Sequence, residues 1–514
     1  MEILQASNLL PLVIVYALLA AITYFLARRR AEYPLHMLQL SGYEESEFLR
    51  WIGEHKDRIT KLVYTKTSEK TPLVMTDRAK RLFAVHRRLT GLFLVAVFCL
   101  AFLFSGRLLL SAILLAAGLF AVYYFQYKIL ILANRINYPR EMEINRGFFV
   151  AAQKKIRALK GKGLNVVGIT GSFGKTSTKF ITSTVLEEAF RVQNTPSSYN
   201  TPMGLSKVIN NELDESDEIF LAELGAKVPG EIREVTELVQ PSIGIITAIG
   251  PTHMHLFKTI ENIQKTKYEL IECLDEKGIA IFNYDNDYVK PLADQTKKRT
   301  IRYGMEHIEA LDVYAKDISV FERGSRFTLG FRGGREAAVE TKLLGRHNIS
   351  NLLAAASVGY VLGMDPEAVA KGIARVEPVE HRLNIVDSPT GVIVIDDAFN
   401  SNPVGARAAL DVLGQFEGGK KIIVTPGMVE LGDMEDEENY KLGEEIARVA
   451  DYAILVGEKR TAPIQKGLLA GGFSKDRMIV RNSLEEATAS LAKITARGDV
   501  VLFENDLPDS YDEE

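Results

Sequence analysis

The chain contains the continuous stretch Leu164-Asn165-Val166-Val167-Gly168-Ile169-Thr170-Gly171-Ser172-Phe173-Gly174-Lys175-Thr176-Ser177-Thr178. Its first six residues are a β-rich apolar run, which predicts a buried strand, and a helix is predicted to begin at about Lys175. A strand, a glycine-containing turn and a helix N-terminus form an anion site, because free N–H groups and the positive end of the helix dipole face one point. The stretch therefore predicts a phosphate-binding loop in an α/β fold.

Two side chains of this loop suit nucleotide chemistry. Lys175 can reach outer phosphate oxygens, and the Thr176 hydroxyl can ligate Mg²⁺. In the general phosphate-loop pattern a glycine stands where this chain has Ile169, and the glycines available are Gly168 and Gly171. The loop therefore fits a shortened variant, T-G-x-x-G-K-T-[ST], and the alternative is an ordinary strand-to-helix turn.

Apolar β-rich runs alternate with helical stretches beyond residue 144, which is typical of parallel α/β sheets. The first series predicts strands at 164–169, 219–223, 243–249, 279–283 and 300–303, and helices at 175–190, 230–239 and 260–274. A β-rich insertion at 311–343 and helices at 347–363 and 366–375 follow. The second series predicts strands at 392–395, 422–424, 452–456, 478–480 and 500–503. We expect a central ATP-binding domain at 141–384, a Rossmann-like domain at 385–508 and an acidic tail at 509–514.

Composition narrows the class of protein. A chain of 514 residues is long enough for about three or four domains, and 47% hydrophobic with 25% charged residues is typical of globular chains. The net charge of -4 gives no reason to expect nucleic-acid binding. Two cysteines, Cys99 and Cys273, exclude a disulfide framework and a cysteine-rich zinc site, which favours a reducing compartment.

The apolar residues are concentrated before about residue 135. Residues 9–27 carry no charge and are followed by Arg28, Arg29 and Arg30, an order that favours an uncleaved membrane anchor over a signal peptide. A second apolar region predicts two spans, at about 90–105 and 108–127, with a re-entrant or interfacial segment as the alternative. Residues 28–89 hold fourteen Lys or Arg and eight Asp or Glu, so the positive-inside rule places this basic segment in the cytoplasm. We therefore expect a multi-pass cell-membrane protein, with a membrane module at 1–140 and cytoplasmic catalytic domains.

The variant loop resembles that of the Mur ligases, ATP-dependent enzymes that form amide bonds in peptidoglycan precursors, and is nearest to the type that adds D-alanyl-D-alanine. Seven further motifs, one of them with a further asparagine, continue the resemblance in order: Ser198-Tyr199-Asn200-Thr201-Pro202-Met203-Gly204; Ala222-Glu223-Leu224-Gly225-Ala226; Gly250-Pro251-Thr252-His253; Lys265-Thr266-Lys267; Gly345-Arg346-His347-Asn348 with Asn351; His381-Arg382-Leu383; and Asp396-Asp397-Ala398-Phe399-Asn400-Ser401-Asn402-Pro403. The resemblance covers residues 160 to about 505. Family members begin with a domain that holds the UDP-sugar, and here we expect the membrane module in its place.

The resemblance implies a site for ATP and Mg²⁺, with two metal positions. Glu223 and Thr176 would hold one Mg²⁺, while His253 and Lys267, the latter carrying CO₂ as a carbamate, would hold the second. Lys175, His253, Lys267 and Arg382 would be catalytic, with Arg382 reaching the γ-phosphate from a hinge. The implied nucleotide-binding residues are Thr170, Gly171, Gly174, Lys175, Thr176, Ser177, Asn348, Asn351, Asp397 and Asn400, and the implied substrate residues are Asn200 and Thr201. Asn402 is assigned to the site by family position alone.

Several of these residues have plainer interpretations. Glu223, His253 and Arg382 could each be solvated surface residues, and His255 competes with His253. Lys267 could be a solvated helix lysine, with Lys265 two positions away on a different face. Either Asn348 or Asn351 could cap a helix.

The leading hypothesis is a membrane-anchored ATP-dependent carboxylate–amine ligase that acts through an acyl phosphate on a cell-envelope precursor. Its amine substrate would be an amino acid or dipeptide, and its carboxylate acceptor a precursor that could be lipid-linked. The alternatives are a poly-γ-glutamate-type synthase and a non-catalytic nucleotide-binding membrane scaffold. An ATP-driven transporter is disfavoured, because the ABC signature Leu-Ser-Gly-Gly-Gln does not occur.

Overall fold

The structure is a computed structural model that describes residues 2–62, 72–399 and 401–507, without the side chains of residues 2–9 and His255. Within these residues the chain divides into two compact units, residues 2–146 and residues 147–507. The predicted tail at 509–514 lies outside the described residues. Each unit has its own core.

The N-terminal unit is built from helices. They are α1 (Glu2–Arg30), α2 (Glu32–Leu40), α3 (Glu45–Glu54), α4 (Lys56–Ile59), α5 (Asp77–Leu103), α6 (Leu108–Tyr124) and α7 (Gln126–Lys160), the last of which continues into the second unit. Helix α5 begins where the Thr76 hydroxyl accepts a hydrogen bond from the Ala79 N–H at 3.2 Å. The turn between α5 and α6 contains Ser105-Gly106-Arg107, the break that the sequence predicts between two spans.

Two helical stretches among the described residues are long and apolar enough to cross a membrane, Leu10–Leu40 and Asp77–Leu103. A third crossing would require Leu108–Tyr124 and Gln126–Lys160, bent by 64°, to act as one span. Within the span predicted at 108–127, helix α6 ends at Tyr124, three residues before the predicted end. In the described part of the basic segment at 28–89, helices α2–α4 bury Leu38, Phe48 and Trp51 against each other and against α5.

The second unit begins with a nine-stranded sheet. In chain order its strands are β1 (Asn165–Thr170), β2 (Val192–Asn194), β3 (Ile219–Glu223), β4 (Ile243–Ile246), β5 (Ile279–Asn283), β6 (Arg299–Gly304), β7 (Val313–Phe321), β8 (Gly324–Phe331) and β9 (Arg335–Thr341). The spatial order is β2-β3-β1-β4-β5-β6-β7-β8-β9, parallel as far as β7 and antiparallel from β7 to β9. Buried strands of a parallel sheet are covered on both faces, which explains why the sequence shows them as continuous apolar runs.

Helices cover this sheet. They are α8 (Lys175–Leu186), α9 (Pro202–Asn211), α10 (Glu231–Val239), α11 (Met254–Phe257), α12 (Ile260–Glu272), α13 (Lys290–Gln295), α14 (Arg346–Val361) and α15 (Pro366–Ala374). The carboxyl ends of the central strands β1, β3 and β4 meet at one edge, where an open α/β sheet binds its ligands.

A six-stranded sheet completes the unit. Its strands are β10 (Asn384–Asp387), β11 (Ile393–Asp397), β12 (Lys421–Thr425), β13 (Tyr452–Val456), β14 (Met478–Arg481) and β15 (Val500–Glu504), in the order β10-β11-β15-β12-β13-β14. Only the β10–β11 pair is antiparallel among these described strands. Its helices are α16 (Pro403–Gln415), α17 (Glu435–Val449), α18 (Ala462–Ala470) and α19 (Leu484–Ile494).

The predicted strands of both series are present. In the first series, one strand and one helix end earlier than predicted. Strand β4 ends at Ile246 and not at Ile249, because the Thr247 hydroxyl turns toward the phosphate loop and donates to the carbonyl of Phe173. Helix α8 ends at Leu186, four residues before the predicted end. Two short strands, β2 and β10, were not predicted.

Candidate active site

The phosphate loop connects β1 to α8 and packs closely against its surroundings. A Cβ at Gly171 would lie 2.1 Å from the Thr247 hydroxyl oxygen, so only glycine fits there. Gly174 has φ +78° and precedes the first residue of α8, and a Cβ there would lie 2.6 Å from Oδ1 of Asn351. The loop backbone can therefore approach a phosphate closely.

Lys175 begins α8 and folds back over the loop. Its ammonium donates to the carbonyls of Gly171 at 2.9 Å and Ser172 at 3.1 Å. Burial lowers the pKa of Lys175, and the nearby Glu223 carboxylate opposes this shift. The ammonium is thus held at the loop, where it could meet an outer phosphate oxygen.

Thr170 and Ser177 flank this arrangement. The Thr170 hydroxyl donates to the Leu224 carbonyl at 2.9 Å and so ties the end of β1 to the residue after β3. Ser177 lies in the first turn of α8 and is partly buried.

Glu223, the last residue of β3, is 1% exposed and accepts hydrogen bonds from three side chains. Oε2 accepts from the Thr176 hydroxyl at 2.9 Å and from the Lys179 ammonium at 3.4 Å, and Oε1 accepts from the Asn200 amide at 3.0 Å. The plainer interpretation of Glu223 as a solvated residue is therefore wrong. A buried carboxylate beside a phosphate loop suits a hard cation such as Mg²⁺, which takes oxygen ligands.

Lys179 is the residue of this cluster that the sequence analysis missed. It is fully buried, one helical turn after Lys175, and also donates to the carbonyl of Ser197. The spacing of four residues on one helix face was a signal that could have identified it.

The two predicted substrate residues differ in their contacts. Asn200 contacts Glu223, whereas the Thr201 hydroxyl caps α9 by accepting from the Gly204 N–H at 3.3 Å. Asn402 has a similar capping role for α16, because its side chain accepts from the N–H groups of Val404 and Gly405. Asn400 lies outside the described residues.

Lys267 lies in α12 and is 3% exposed, while Lys265 is exposed. Burial, with a further contribution from the charge of Lys175, lowers the pKa of Lys267 to about 7. The interpretation of Lys267 as a solvated helix lysine is therefore wrong.

His253 precedes the short helix α11, and its Nδ1 lies 2.6 Å from Oε2 of Glu430, beyond β12 of the second sheet. The backbone N–H of Met254 also donates to the Glu430 carbonyl at 3.2 Å. The side chain of His255 is not described.

Arg382 and Asp397 join the site from the start of the second sheet. The Arg382 guanidinium stacks on Phe399 at 4.2 Å; burial lowers its pKa, and the charges of Asp397 and Glu223 oppose that shift. Oδ1 of Asp397 accepts from the Leu383 N–H at 3.0 Å, and burial raises the pKa of Asp397 to about 6. Burial and the charge of Asp397 also raise the pKa of Glu504 well above its usual value.

Asn348 and Asn351 form a hydrogen-bonded chain that ends at the phosphate-loop helix. The Thr178 hydroxyl donates to Asn351 at 3.2 Å, Asn351 donates to Asn348 at 3.3 Å, and Asn348 donates to the Leu344 carbonyl at 2.9 Å. Gly345, and neither asparagine, occupies the N-cap of α14. The capping interpretation is therefore wrong.

The side chains beside the phosphate loop determine whether a metal ion can bind there. Within residues 2–62, 72–399 and 401–507, no three His, Cys, Asp or Glu side chains lie together as a metal-binding group. Thr176 and Glu223 nevertheless place a hydroxyl and a carboxylate side by side, and Mg²⁺ commonly takes only one or two carboxylates and completes its shell with water and phosphate oxygens. These residues therefore fit Mg²⁺ bound together with a nucleotide.

The fold and this cluster define a class: a two-sheet α/β nucleotide-binding enzyme with a phosphate loop at the carboxyl edge of its first sheet. Residues 169–359 match the Mur ligase middle domain, and residues 381–504 match the Mur ligase, glutamate ligase domain. The chain belongs to the Mur ligase family, and it is an ATP-dependent ligase of that type.

Individual relatives agree with this assignment. The UDP-N-acetylmuramoyl-tripeptide–D-alanyl-D-alanine ligase of Bacillus subtilis is 32% identical over 346 residues, which are 67% of this chain and 74% of the relative. The ligase of the same name from Mycobacterium tuberculosis strain H37Rv is 32% identical over 373 residues, 69% of this chain and 71% of the relative. The comparisons do not favour the poly-γ-glutamate or scaffold alternatives.

Solved structures share the two-sheet fold. MurF of Thermotoga maritima in complex with ADP has a TM-score of 0.62 and 27% identity, over 70% of this chain and 80% of that structure. MurF of Acinetobacter baumannii has a TM-score of 0.64 and 25% identity, over 71% and 78% of the two chains. Mur ligases use ATP and Mg²⁺, in agreement with the cofactors expected from the sequence.

Proposed function

We propose that this chain is a membrane-anchored ligase that joins an amino acid or dipeptide amine to a carboxylate of a cell-envelope precursor through an acyl phosphate. The observation that carries the proposal is the convergence of Thr176, Lys179 and Asn200 on Glu223 beside the phosphate loop. This arrangement offers cations and oxygen ligands where the γ-phosphate of ATP would lie.

The reaction has two steps. A carboxylate oxygen of the acceptor forms a bond to the γ-phosphorus while ADP leaves; the amine then attacks the acyl carbon, releasing phosphate and a proton. Phosphoryl transfer depends mainly on positioning and charge neutralisation. We assign these tasks to Lys175 from the loop and to Arg382 from the start of the second sheet. The asparagine pair, Asn348 and Asn351, would support the nucleotide base, and Asp397 its ribose or adenine side.

Thr176 and Glu223 would hold one Mg²⁺, which neutralises phosphate charge when bound. His253 and Lys267 would hold a second, with Lys267 as a carbamate. Only an unprotonated amine combines with CO₂, and a pKa of about 7 leaves Lys267 a large unprotonated fraction at neutral pH. Burial would also protect the carbamate from water.

The amine substrate that we propose is a dipeptide of the D-alanyl-D-alanine type, because the relatives carry that dipeptide in their name. Their name also gives a UDP-N-acetylmuramoyl-tripeptide, which suggests a muramoyl-peptide carboxylate as the acceptor. We propose that this acceptor is presented at the membrane, in lipid-linked form or as part of a growing polymer.

Apolar side chains on the N-terminal unit support the membrane anchor. Helix α1 exposes Leu10, Leu18 and Ile22, each more than half accessible, and α5 exposes Leu92 and Val95 to a similar extent. A helix that exposes several large apolar side chains is suited to a lipid environment. Arginines flank both stretches, and on the positive-inside rule we propose that the basic segment and the catalytic domains are cytoplasmic.

A coupled assay of ADP release tests the proposal. The full chain in detergent micelles or nanodiscs is given MgATP with pairs of muramoyl-peptide acceptors and amines. We expect one pair to stimulate ADP release, with loss of that stimulation in Lys175→Ala and retention in Lys265→Ala, which changes an exposed lysine. The proposal fails if no pair raises turnover above that of Lys175→Ala.

A further inference from the structure

Among the contacts between the two domains of the catalytic unit, one joins His253 and Glu430 beside the site. His253 belongs to the first sheet's domain, and Glu430 belongs to the loop after β12 of the second. The Glu430 side chain contacts the His253 ring at 2.6 Å, and its carbonyl accepts from the N–H of the next residue, Met254, at 3.2 Å. One residue therefore holds both the imidazole and the backbone beside it.

Backbone conformation indicates that this contact is specific. His253 has φ +48° and Glu430 has φ +66°, in the left-handed region that residues other than glycine seldom adopt. Such conformations persist where the surroundings determine them and are concentrated at functional sites. An ordinary ion pair between two surface side chains does not require a left-handed backbone at either residue.

The loop that carries Glu430, residues 426–431, is fixed by contacts with its own domain. Met428 and Leu431 are buried on either side of Glu430. The Asn439 side chain accepts from the Met428 N–H and donates to the Met428 carbonyl, both at 2.9 Å. Glu435 accepts from the Leu431 N–H at 3.4 Å. Glu430 is thus presented by a fixed loop toward the first domain.

The contact between Glu430 and His253 determines which nitrogen of the imidazole ring can bind a metal ion. A histidine that binds a metal through one ring nitrogen commonly donates its other N–H to a carboxylate, which fixes the tautomer and the ring orientation. Because the hydrogen bond to Glu430 engages Nδ1, the proton is assigned to Nδ1 and the lone pair to Nε2. The ring is thereby prepared to bind a cation through Nε2.

We propose that Glu430 is a positioning residue that orients His253 for metal binding, so that the second metal site is complete only when the two domains are in contact. This inference rests on the proposed function, which makes His253 a metal ligand. It adds a residue of the second domain to a site otherwise formed by the first, and thereby couples domain contact to metal loading.

Two measurements on the full chain in nanodiscs test the coupling. Electron paramagnetic resonance of Mn²⁺, with a non-hydrolysable ATP analogue, gives the number and affinity of bound ions. Hydrogen exchange of peptides covering 251–258 and 426–431 reports the contact between the domains without requiring activity. The variants are Glu430→Ala, Glu430→Gln and His253→Ala, with Glu458→Gln as an exposed acidic control in the second domain.

We expect Glu430→Ala to weaken one Mn²⁺ by about 10- to 100-fold and to speed exchange in both peptides, while the remaining ion keeps its affinity. Glu430→Gln still offers an oxygen to Nδ1–H and should restore most of both properties, and Glu458→Gln should match the wild type. Unchanged Mn²⁺ affinity in Glu430→Ala overturns the inference. If His253→Ala loses the ion and Glu430→Ala does not, only the coupling fails. If His253→Ala also keeps the ion, the proposed metal role of His253 fails.

Discussion

Glu223 and Lys179 form a buried ion pair beside the phosphate loop. The carboxylate is almost completely buried, and the ammonium of Lys179, also buried, is a cationic partner within hydrogen-bonding distance at 3.4 Å. A buried charge is costly unless it is paired and hydrogen-bonded. Lys179 therefore offsets part of the cost of burying the Glu223 carboxylate.

Replacing Lys179 with Met tests this pairing, because Met keeps a long apolar side chain and removes the charge. Loss of one partner of a buried ion pair costs about 3–5 kcal/mol, so we expect a decrease of that size in the free energy of unfolding. Denaturant unfolding followed by circular dichroism measures it. The control is Lys371→Met, which removes an exposed lysine that contacts Glu188 at 2.8 Å and leaves Glu188 paired with Arg375 at 2.6 Å.

The double variant Lys179→Met with Glu223→Gln separates stability from activity. Without the buried charge, the double variant should regain most of the stability, yet it should remain inactive because the proposed metal ligand is lost. If Lys179→Met is as stable as Lys371→Met, the pairing does not have the importance that we assign to it.

Single residues also show how far the sequence could predict this site. Glu223, Lys175 and Thr176 were identified because a motif fixes their spacing along the chain. Glu430 gave no such signal, since its partner His253 lies in a different domain and only the fold brings them together. Thr201 and Asn402 were assigned to the site by motif, but their side chains cap helices.

At the scale of elements, the junction of the phosphate loop with α8 depends on Gly174. Alanine at this position would have to adopt φ +78° and place its Cβ 2.6 Å from Oδ1 of Asn351. Gly163 offers a matched control, because it has φ +109° and no atom within 4 Å of a Cβ. Both substitutions place alanine at a positive φ, and only Gly174→Ala also brings the new Cβ into a steric clash.

We expect Gly163→Ala to cost roughly 1–2 kcal/mol of stability and to leave nucleotide binding intact. Gly174→Ala should bear a similar strain and in addition lose binding of an ATP analogue, because the loop must move away from Asn351. Isothermal titration calorimetry on both variants measures the difference. Equal affinities in the two variants would show that the contact with Asn351 does not shape the loop.

Elements differ in how well the sequence predicts them. The central parallel strands are buried on both faces, so their apolar runs indicate them clearly. Strand β2 has three half-buried residues and β10 pairs antiparallel at a sheet edge, so neither has that signature. Helices α2–α4 lie in a segment whose charge dominates its composition, and their small core around Phe48 and Trp51 becomes apparent only in the fold.

At the scale of the whole molecule, the two compact units carry different surfaces. The second unit has the composition and fold of a Mur ligase, whereas the first exposes apolar side chains along two helices that are long enough to cross a membrane. Each unit contains one cysteine: Cys99 is exposed on α5, and Cys273, directly after α12, is half-buried. These native thiols can report the environment of each unit separately.

If α5 crosses a membrane, Cys99 faces lipid and a membrane-impermeant maleimide cannot reach it until detergent is added. Cys273 should react in inside-out vesicles and not in right-side-out vesicles, because the catalytic domains are proposed to be cytoplasmic. Burial raises the pKa of the Cys273 thiol, so labelling is best compared at mildly alkaline pH. Cys99→Ser and Cys273→Ser assign each signal, and a cysteine in place of the exposed Glu458 provides a second reporter of the catalytic unit. Labelling of Cys99 without detergent as readily as Cys273, or release of the chain by alkaline extraction, would contradict the anchor and leave a ligase that meets its acceptor in solution.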